Sequence, residues 1–402
     1  MSLNDTPSAE RVHIGFFGRR NAGKSSVVNA VTGQNLAVVS DKLGTTTDPV
    51  IKSMELLPLG PVTIVDTPGF DDEGELGELR VKKTREVLGS TDVAVLVVDA
   101  TAGLGACERQ LVDLFKQQGT PYLIAYNKRD LLDQVPADDD HAIHVSATAK
   151  EGINTLKEAI AKLGTKGSHD RPLLRDLFQP GQAVMVVIPI DKAAPKGRLI
   201  LPEQMAIRDI LDGDGEAIVV QQNRLAQALE ERGEDRRPAL VVTDSQVFQE
   251  VAQIVPPEVP LTSFSILMAR YKGLLKPAVA GAAALDRLDD GARVLISEGC
   301  THHRQCNDIG TVKLPGWLRE YTGKDLDLSW TSGREFPEDL TDFDAVVHCG
   351  GCMLNAKEMQ TRMKRAQAQG VPMTNYGVAI AHMKGILRRT VALFPDVAAL
   401  LD

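Results

Sequence analysis

Val12-His13-Ile14-Gly15-Phe16-Phe17-Gly18-Arg19-Arg20-Asn21-Ala22-Gly23-Lys24-Ser25-Ser26 decides how the first part of the chain folds. A short apolar run, the pattern of a buried strand, gives way to G-x-x-x-x-G-K-S and then to a helical pattern from Ser26 to Thr32. This is a phosphate-binding loop in the strand-loop-helix context it requires. Gly18 and Gly23 let the backbone amides of the loop, through Asn21, Ala22 and Ser26, curl around a β-phosphate, and the helix N-terminus adds its positive dipole. Lys24 is expected to reach the β/γ oxygens and Ser25 to supply a magnesium ligand.

Three further stretches follow in the order a guanine-nucleotide switch needs. Val62 to Val65 is a strand ending in Asp66-Thr67-Pro68-Gly69: the acid can hold magnesium through water, and the Gly69 amide can sense a γ-phosphate. Tyr122 to Tyr126 is another strand, ending in Asn127-Lys128-Arg129-Asp130. The Asp130 carboxylate can accept both the ring N–H and the amino group of guanine, a donor pair adenine lacks, so it selects GTP over ATP. Ser146-Ala147-Thr148 closes the set, with a backbone amide placed for the guanine carbonyl. Leu43-Gly44-Thr45-Thr46-Thr47-Asp48 resembles the switch loop of the tRNA-modification and ribosome-assembly GTPases, which makes Thr46 the candidate to complete the magnesium shell. The segment after Gly69 begins with Phe70 and turns acidic, with no amide side chain to orient water, so intrinsic hydrolysis is expected to be slow unless a further charge is supplied. Asn21 stands where potassium-activated members of that GTPase class use an Asn to hold a monovalent cation; a loop-stabilising Asn without an ion is the competing reading.

The chain has 402 residues, more than one core usually supports, and 43% of them are apolar. Lys and Arg number 45 against 54 Asp and Glu, a net charge of −9, which disfavours nucleic acid as a partner. Met1 to Arg11 is polar and no stretch approaches the roughly 20 apolar residues of a membrane span, so no membrane partner is expected and the compartment is read as cytoplasmic. Five cysteines in a chain this long do not form a disulfide framework. Linker composition at Gly164 to Pro172 and the proline-rich Val255 to Pro260 divide the chain into 1–170, 171–262 and 263–402. The middle segment alternates strand and helix as a small α/β sheet, with strands at Ala183 to Ile190, Ala217 to Val220 and Ala239 to Val242. It carries no catalytic grouping; a second copy of the chain covering a sheet edge, or an intradomain cover, would complete it.

The last segment is another doubly wound α/β unit, and two of its strands run straight into metal-binding residue types. Arg293 to Ser297 is followed by Glu298-Gly299-Cys300-Thr301-His302-His303, and Ala345 to Val347 by His348-Cys349-Gly350-Gly351-Cys352. Sites in open α/β sheets form beyond the carboxyl ends of strands, so the two halves can meet. The glycines let the backbone wrap so that Cys349 and Cys352 reach one centre. From bare spacing a structural zinc site and an iron–sulfur cluster both fit.

Taken together, a GTPase domain, a small α/β domain and Cys-x-His then His-Cys-x-x-Cys resemble the FeFe-hydrogenase maturation GTPases of the HydF family along essentially the whole chain. The resemblance implies that Cys300, Cys349 and Cys352 bind a 4Fe-4S cluster, with His302 the candidate fourth ligand and His303, His348, Glu298, Cys306 or an exogenous group its alternatives. It also implies a homodimer through the middle segment. The chain would then be a scaffold that takes a two-iron subcluster precursor from radical-SAM maturases and passes it to apo FeFe-hydrogenase, with GTP hydrolysed to GDP on Mg2+. The alternative is a zinc-stabilised GTPase acting in RNA or ribosome assembly.

Overall fold

The computed structural model describes residues 6–33, 49–69, 75–165, 171–190, 199–299, 308–333 and 335–401. They fall into two compact units, 1–169 and 170–402. The first unit holds a six-stranded sheet of β1 (Val12–Phe17), β2 (Val50–Leu56), β3 (Gly60–Asp66), β4 (Val93–Asp99), β5 (Tyr122–Asn127) and β6 (Ala142–His144), in the order β2-β3-β1-β4-β5-β6. All neighbours are parallel except β2, which pairs antiparallel with β3 at the edge.

Alternation along the strands supplies both faces of this sheet. On β4, Val93, Val95 and Val97 enter the core shared with Val27, Val28 and Val31 of the helix Lys24–Thr32, whereas Ala94, Leu96 and Val98 enter a second core with Leu111 and Phe115. Each such fully buried valine or leucine contributes on the order of 1.5–3 kcal/mol. A strand buried on both faces reads as a continuous apolar run, the form β4 takes. His13 and His144 are buried, as packed residues: His13 Nε2 lies 2.9 Å from the Ser8 carbonyl, and the His144 ring stacks on Tyr126.

The second unit contains two all-parallel sheets. One has β7 (Ala183–Val187), β8 (Glu216–Val220), β9 (Leu240–Thr243) and β10 (Leu261–Ser263) in the order β10-β9-β7-β8. The other has β11 (Arg293–Glu298), β12 (Asp327–Ser332), β13 (Ala345–His348) and β14 (Met373–Asn375) in the order β12-β11-β13-β14. Val184, Val186 and Leu240 of the first share one core with Leu295 and Val346 of the second, so the last segment does not keep a core wholly of its own. Leu261 to Ser263, just past the proline-rich stretch, completes the first of these sheets.

Ser263 caps the next helix, Phe264–Tyr271, its hydroxyl accepting the Ile266 N–H at 3.3 Å. The sequence pattern runs this helix on to Leu275 with a break at Pro277; the structure breaks it earlier, at Gly273. Gly273 has φ 73°, a left-handed conformation suited to glycine, and Pro277 sits in the first turn of the following helix, Leu275–Ala282, where its missing N–H removes no helical bond.

Candidate functional site

In the first unit the phosphate loop runs from the end of β1 to the helix Lys24–Thr32. Gly18 adopts φ 149° and a side chain there would strike the Val97 carbonyl; Gly23, at φ 83°, caps the helix and lies against Asn127. Asn21, between them, is exposed and left-handed at φ 63°. Ser25 Oγ donates to Asp66 Oδ2 at 3.0 Å and Lys24 Nζ lies 3.7 Å from Asp66 Oδ1. Asp66 is buried, and Oδ1 has no hydrogen-bond partner. Burial pushes its carboxyl above the usual range, against the pull of Lys24 and Ser25. A buried carboxylate oxygen left open beside a serine hydroxyl is a donor set suited to a hard cation. Gly69 lies three residues beyond Asp66, and Thr67 anchors the connection by donating to the Phe16 carbonyl through Oγ1 at 2.7 Å.

The base side is held by Asn127. Its Nδ2 donates to the Ala22 carbonyl at 3.0 Å and its Oδ1 accepts the Ala147 N–H at 3.1 Å, so one buried amide ties the phosphate loop to the Ser146-Ala147 loop. In this arrangement the Ala147 amide expected at the guanine carbonyl is bonded to Asn127. Lys128, left-handed at φ 68°, pairs with Asp99 Oδ2 at 2.5 Å. Partial burial of Asp99 raises its pKa, but hydrogen bonds from Lys128 and Thr101 outweigh it and hold the carboxyl below the usual range. Asp130 sits exposed on a short 3-10 turn, Arg129–Leu131, and Ser146 is buried, its hydroxyl accepting the Ala149 N–H at 3.0 Å. The Asn127 and Lys128 tethers escaped the reading of the sequence, which placed both residues only in a binding tetrapeptide. Thr46 and Phe70 lie outside the described residues.

In the second unit β11 and β13 are adjacent and in register, Ser297 opposite His348, so their carboxyl ends lie level. Cys349 N–H donates to the Ser297 carbonyl at 2.8 Å. Its sulfur accepts the Gly299 N–H at 3.0 Å and the Gly351 N–H at 3.3 Å. The Cys349 thiol thus rests against the residue that immediately precedes Cys300. Cys349 and Cys352 are both half-buried. Burial pushes the Cys352 thiol up, and the neighbouring Cys349 adds to this. Gly351 takes φ 59°, and a side chain there would meet the Met359 sulfur at 2.5 Å, so the tight turn between the cysteines needs glycine. Glu298 is buried beside Tyr376, whose phenol is pushed up by burial and by the charges of Glu298 and Cys349. Cys300, His302, His303 and Cys306 lie outside the described residues, and among the described residues no group of three or more His, Cys, Asp or Glu is assembled for a metal.

His348, an alternative for the fourth ligand, has both ring nitrogens engaged in this structure. It is fully buried; Nε2 faces Arg362 Nη1 at 3.0 Å and Nδ1 faces the Cys349 carbonyl at 2.7 Å. A guanidinium can only donate, so Nε2 accepts, Nδ1 carries the proton, and both nitrogens are occupied. Arg362 is itself held by Glu358 at 2.6 Å and the Gly333 carbonyl at 3.0 Å. His348 therefore orients the Cys349 peptide.

Comparison with known proteins matches three stretches of the chain. Residues 13–128 match the 50S ribosome-binding GTPase family, residues 173–273 the hydrogen maturase F dimerization domain, and residues 276–393 the hydrogen maturase F tetramerization domain. Among curated proteins, the tRNA modification GTPase MnmE of Synechococcus sp. (strain JA-2-3B'a(2-13)) is 32% identical over 200 residues, 45% of this chain and 43% of that protein. The MnmE of Clostridioides difficile (strain 630) is 32% identical over 161 residues, 38% of this chain and 34% of its own. The chain thus spans less than half the length of these curated relatives. Among solved structures, a probable GTP-binding protein engB is 24% identical over 39% of this chain and 100% of its own, with a TM-score of 0.33. Aquifex aeolicus Era bound to GDP.AlF4- is 18% identical over 61% of this chain and 98% of its own, with a TM-score of 0.36. No helix among the described residues is long and apolar enough to cross a membrane. With a nucleotide site of this geometry, followed by two domains that together cover more than half its length, the chain is a GTP-binding, GTP-hydrolysing α/β protein and belongs to the hydrogen maturase F family.

Proposed function

We propose that this GTPase holds a 4Fe-4S cluster in its last segment and delivers a two-iron precursor to apo FeFe-hydrogenase. The observation that carries the reading is the level ending of β11 and β13, with two half-buried cysteines on one turn and the backbone leading to Cys300 bonded to the first of them. The donor set fits the group. The thiols are partly shielded from water, and two N–H groups already point at Cys349 Sγ, the pattern that stabilises a thiolate. Cys300, Cys349 and Cys352 would hold three irons. His302, His303, Cys306, Glu298 or an exogenous group is left for the fourth; Glu298, buried at the end of β11, is the one of these whose place is described. When bound, the cluster would supply an exchangeable iron position at which the incoming precursor is held and released.

The chain's own residues do the rest. His348, locked by Arg362, keeps the Cys349 peptide turned; Gly351 keeps the turn tight. In the first unit Lys24 and Gly69 meet the phosphates, Ser25, Thr46 and Asp66 hold Mg2+, Asn21 holds K+ beside the phosphates, and Asp130 reads guanine. Hydrolysis gates partner association through the switch segments, since neither the thiol turn nor its neighbours offer chemistry to a nucleotide. The three segments 1–170, 171–262 and 263–402 act respectively as switch, homodimer contact and cluster carrier in the cytoplasm, receiving precursor from radical-SAM maturases.

The test is activation of apo-hydrogenase by anaerobically purified protein preloaded with the two-iron precursor. Restored hydrogenase activity, lost in Cys300→Ala and Cys349→Ala, is the expected result. A colourless preparation holding zinc and no iron would instead leave the RNA- or ribosome-assembly reading.

A further inference from the structure

Lys272 ends the helix Phe264–Tyr271, its backbone N–H bonded to the Met268 and Arg270 carbonyls, and only 3% of the residue is exposed. A buried lysine is costly unless its ammonium is met by hydrogen-bond acceptors. Here they come from a segment some eighty positions away: Nζ donates to the carbonyls of Gly351, of Leu354 at 3.1 Å and of Gly350 at 3.5 Å. Gln360, on the helix that follows the thiol turn, donates through Nε2 to the Lys272 carbonyl at 2.8 Å, so lysine and turn hold each other at two points.

The consequence follows from the planarity of the peptide. In a trans peptide the C=O and the next N–H point in opposite directions. With the Gly350 and Gly351 carbonyls drawn to one ammonium, the N–H groups of Gly351 and Cys352 are turned the other way. The Gly351 N–H is found on Cys349 Sγ, which also accepts the Gly299 N–H. A run of N–H groups facing one way is an anion-binding concavity.

We propose that Lys272 is the positioning residue of the thiol turn, drawing its carbonyls to one side so that the Gly351 N–H faces the Cys349 sulfur, and supplying a fixed positive charge behind the turn. This rests on the cluster reading above. Lysine and turn belong respectively to the stretches matching the dimerization and tetramerization domains, so the brace joins the two matched stretches.

The full chain and its Lys272→Met, Lys272→Gln and Lys272→Arg variants, reconstituted anaerobically with iron and sulfide, are compared for iron per chain, rate of iron loss to a chelator, and midpoint potential followed by electron paramagnetic resonance. GTP hydrolysis in the same preparations reports that the first unit is intact, and circular dichroism that the second is folded. Residues that hydrogen-bond the ligands of a metal site are worth roughly 10- to 100-fold in metal affinity. Lys272→Met is expected to lose iron at least about tenfold faster and to have a lower potential, since removing a positive charge disfavours the added electron. Lys272→Gln keeps a donor without charge: it should lose iron more slowly than Lys272→Met yet share the lowered potential. Lys272→Arg should keep the potential. If Lys272→Met does not fold, the Gln and Arg pair carries the comparison. Iron loss and potential unchanged in folded Lys272→Gln would overturn the proposal alone; wild-type protein that takes up no iron would overturn the cluster reading and the proposal with it.

Discussion

Asn127→Ala is the substitution with the clearest worked consequence. The side chain is buried and makes two bonds, to the Ala22 carbonyl at 3.0 Å and from the Ala147 N–H at 3.1 Å. Each is worth about 1 kcal/mol net, and stranding a carbonyl and an amide near the protein interior adds about 1 kcal/mol or more, for a total of about 3 kcal/mol. Both bonds join loops that surround the nucleotide, so much of this loss should fall on binding. At 1.4 kcal/mol per tenfold, GDP affinity should fall by roughly 30- to 150-fold. Titration with a fluorescent GDP analogue, with thermal unfolding of the nucleotide-free protein alongside, measures both parts. Asn127→Asp is the sharper control: its carboxylate still accepts from Ala147 but cannot donate to the Ala22 carbonyl, so it should lose affinity too. A change below about threefold in both variants, with an unchanged melting temperature, would refute the claim that this amide ties the two loops.

Other outcomes follow from the same geometry. Asp66 has its folded pKa raised by burial, so in the magnesium-free protein its ionisation opposes folding at neutral pH, and the penalty is relieved as pH falls through the raised value. Asp66→Asn should therefore raise the melting temperature of the nucleotide- and magnesium-free protein at pH 7, and narrow its gain toward acid, while abolishing magnesium-dependent hydrolysis; a lowered melting temperature would contradict this. Ser263→Ala removes the cap of the helix that carries Lys272 and should cost about 1 kcal/mol in chemical denaturation, against no change if the cap is idle. His348→Gln should leave the number of irons per chain unchanged, because neither ring nitrogen is available, and should destabilise the second unit; loss of a single iron ligand signature in resonance spectra would show otherwise. GTP turnover should be faster in potassium than in sodium, with the difference removed in Asn21→Ala; equal rates in the two salts would discard the cation.

Local chemistry explains why the nucleotide site could be read without coordinates. Each of its elements is a short motif at the end of its own apolar strand, so residue type and spacing along a few positions suffice: the strand Val12–Phe17 runs into a loop whose glycines take positive φ. The two-cysteine turn was legible for the same reason, since Gly351 is demanded by a left-handed position next to Met359. The edge strand β2, the central strand β4 and the helix Glu75–Gly89 were not read at all, because they carry no motif to draw notice.

What sequence by itself determined about this protein is therefore the identity of its chemistry: a guanine-nucleotide loop set, and thiols placed after strands. Tertiary structure alone decided which neighbours those groups have. His348, beside the cysteines in sequence, is met by an arginine on another element, while Lys272, with nothing in its surroundings to mark it, arrives at the turn from a distant helix. The physical reason is range. Turn conformation and motif chemistry are fixed by contacts within a few residues, whereas burial of an ammonium or an imidazole is decided by acceptors and donors that only packing of separate elements brings within 3 Å or so.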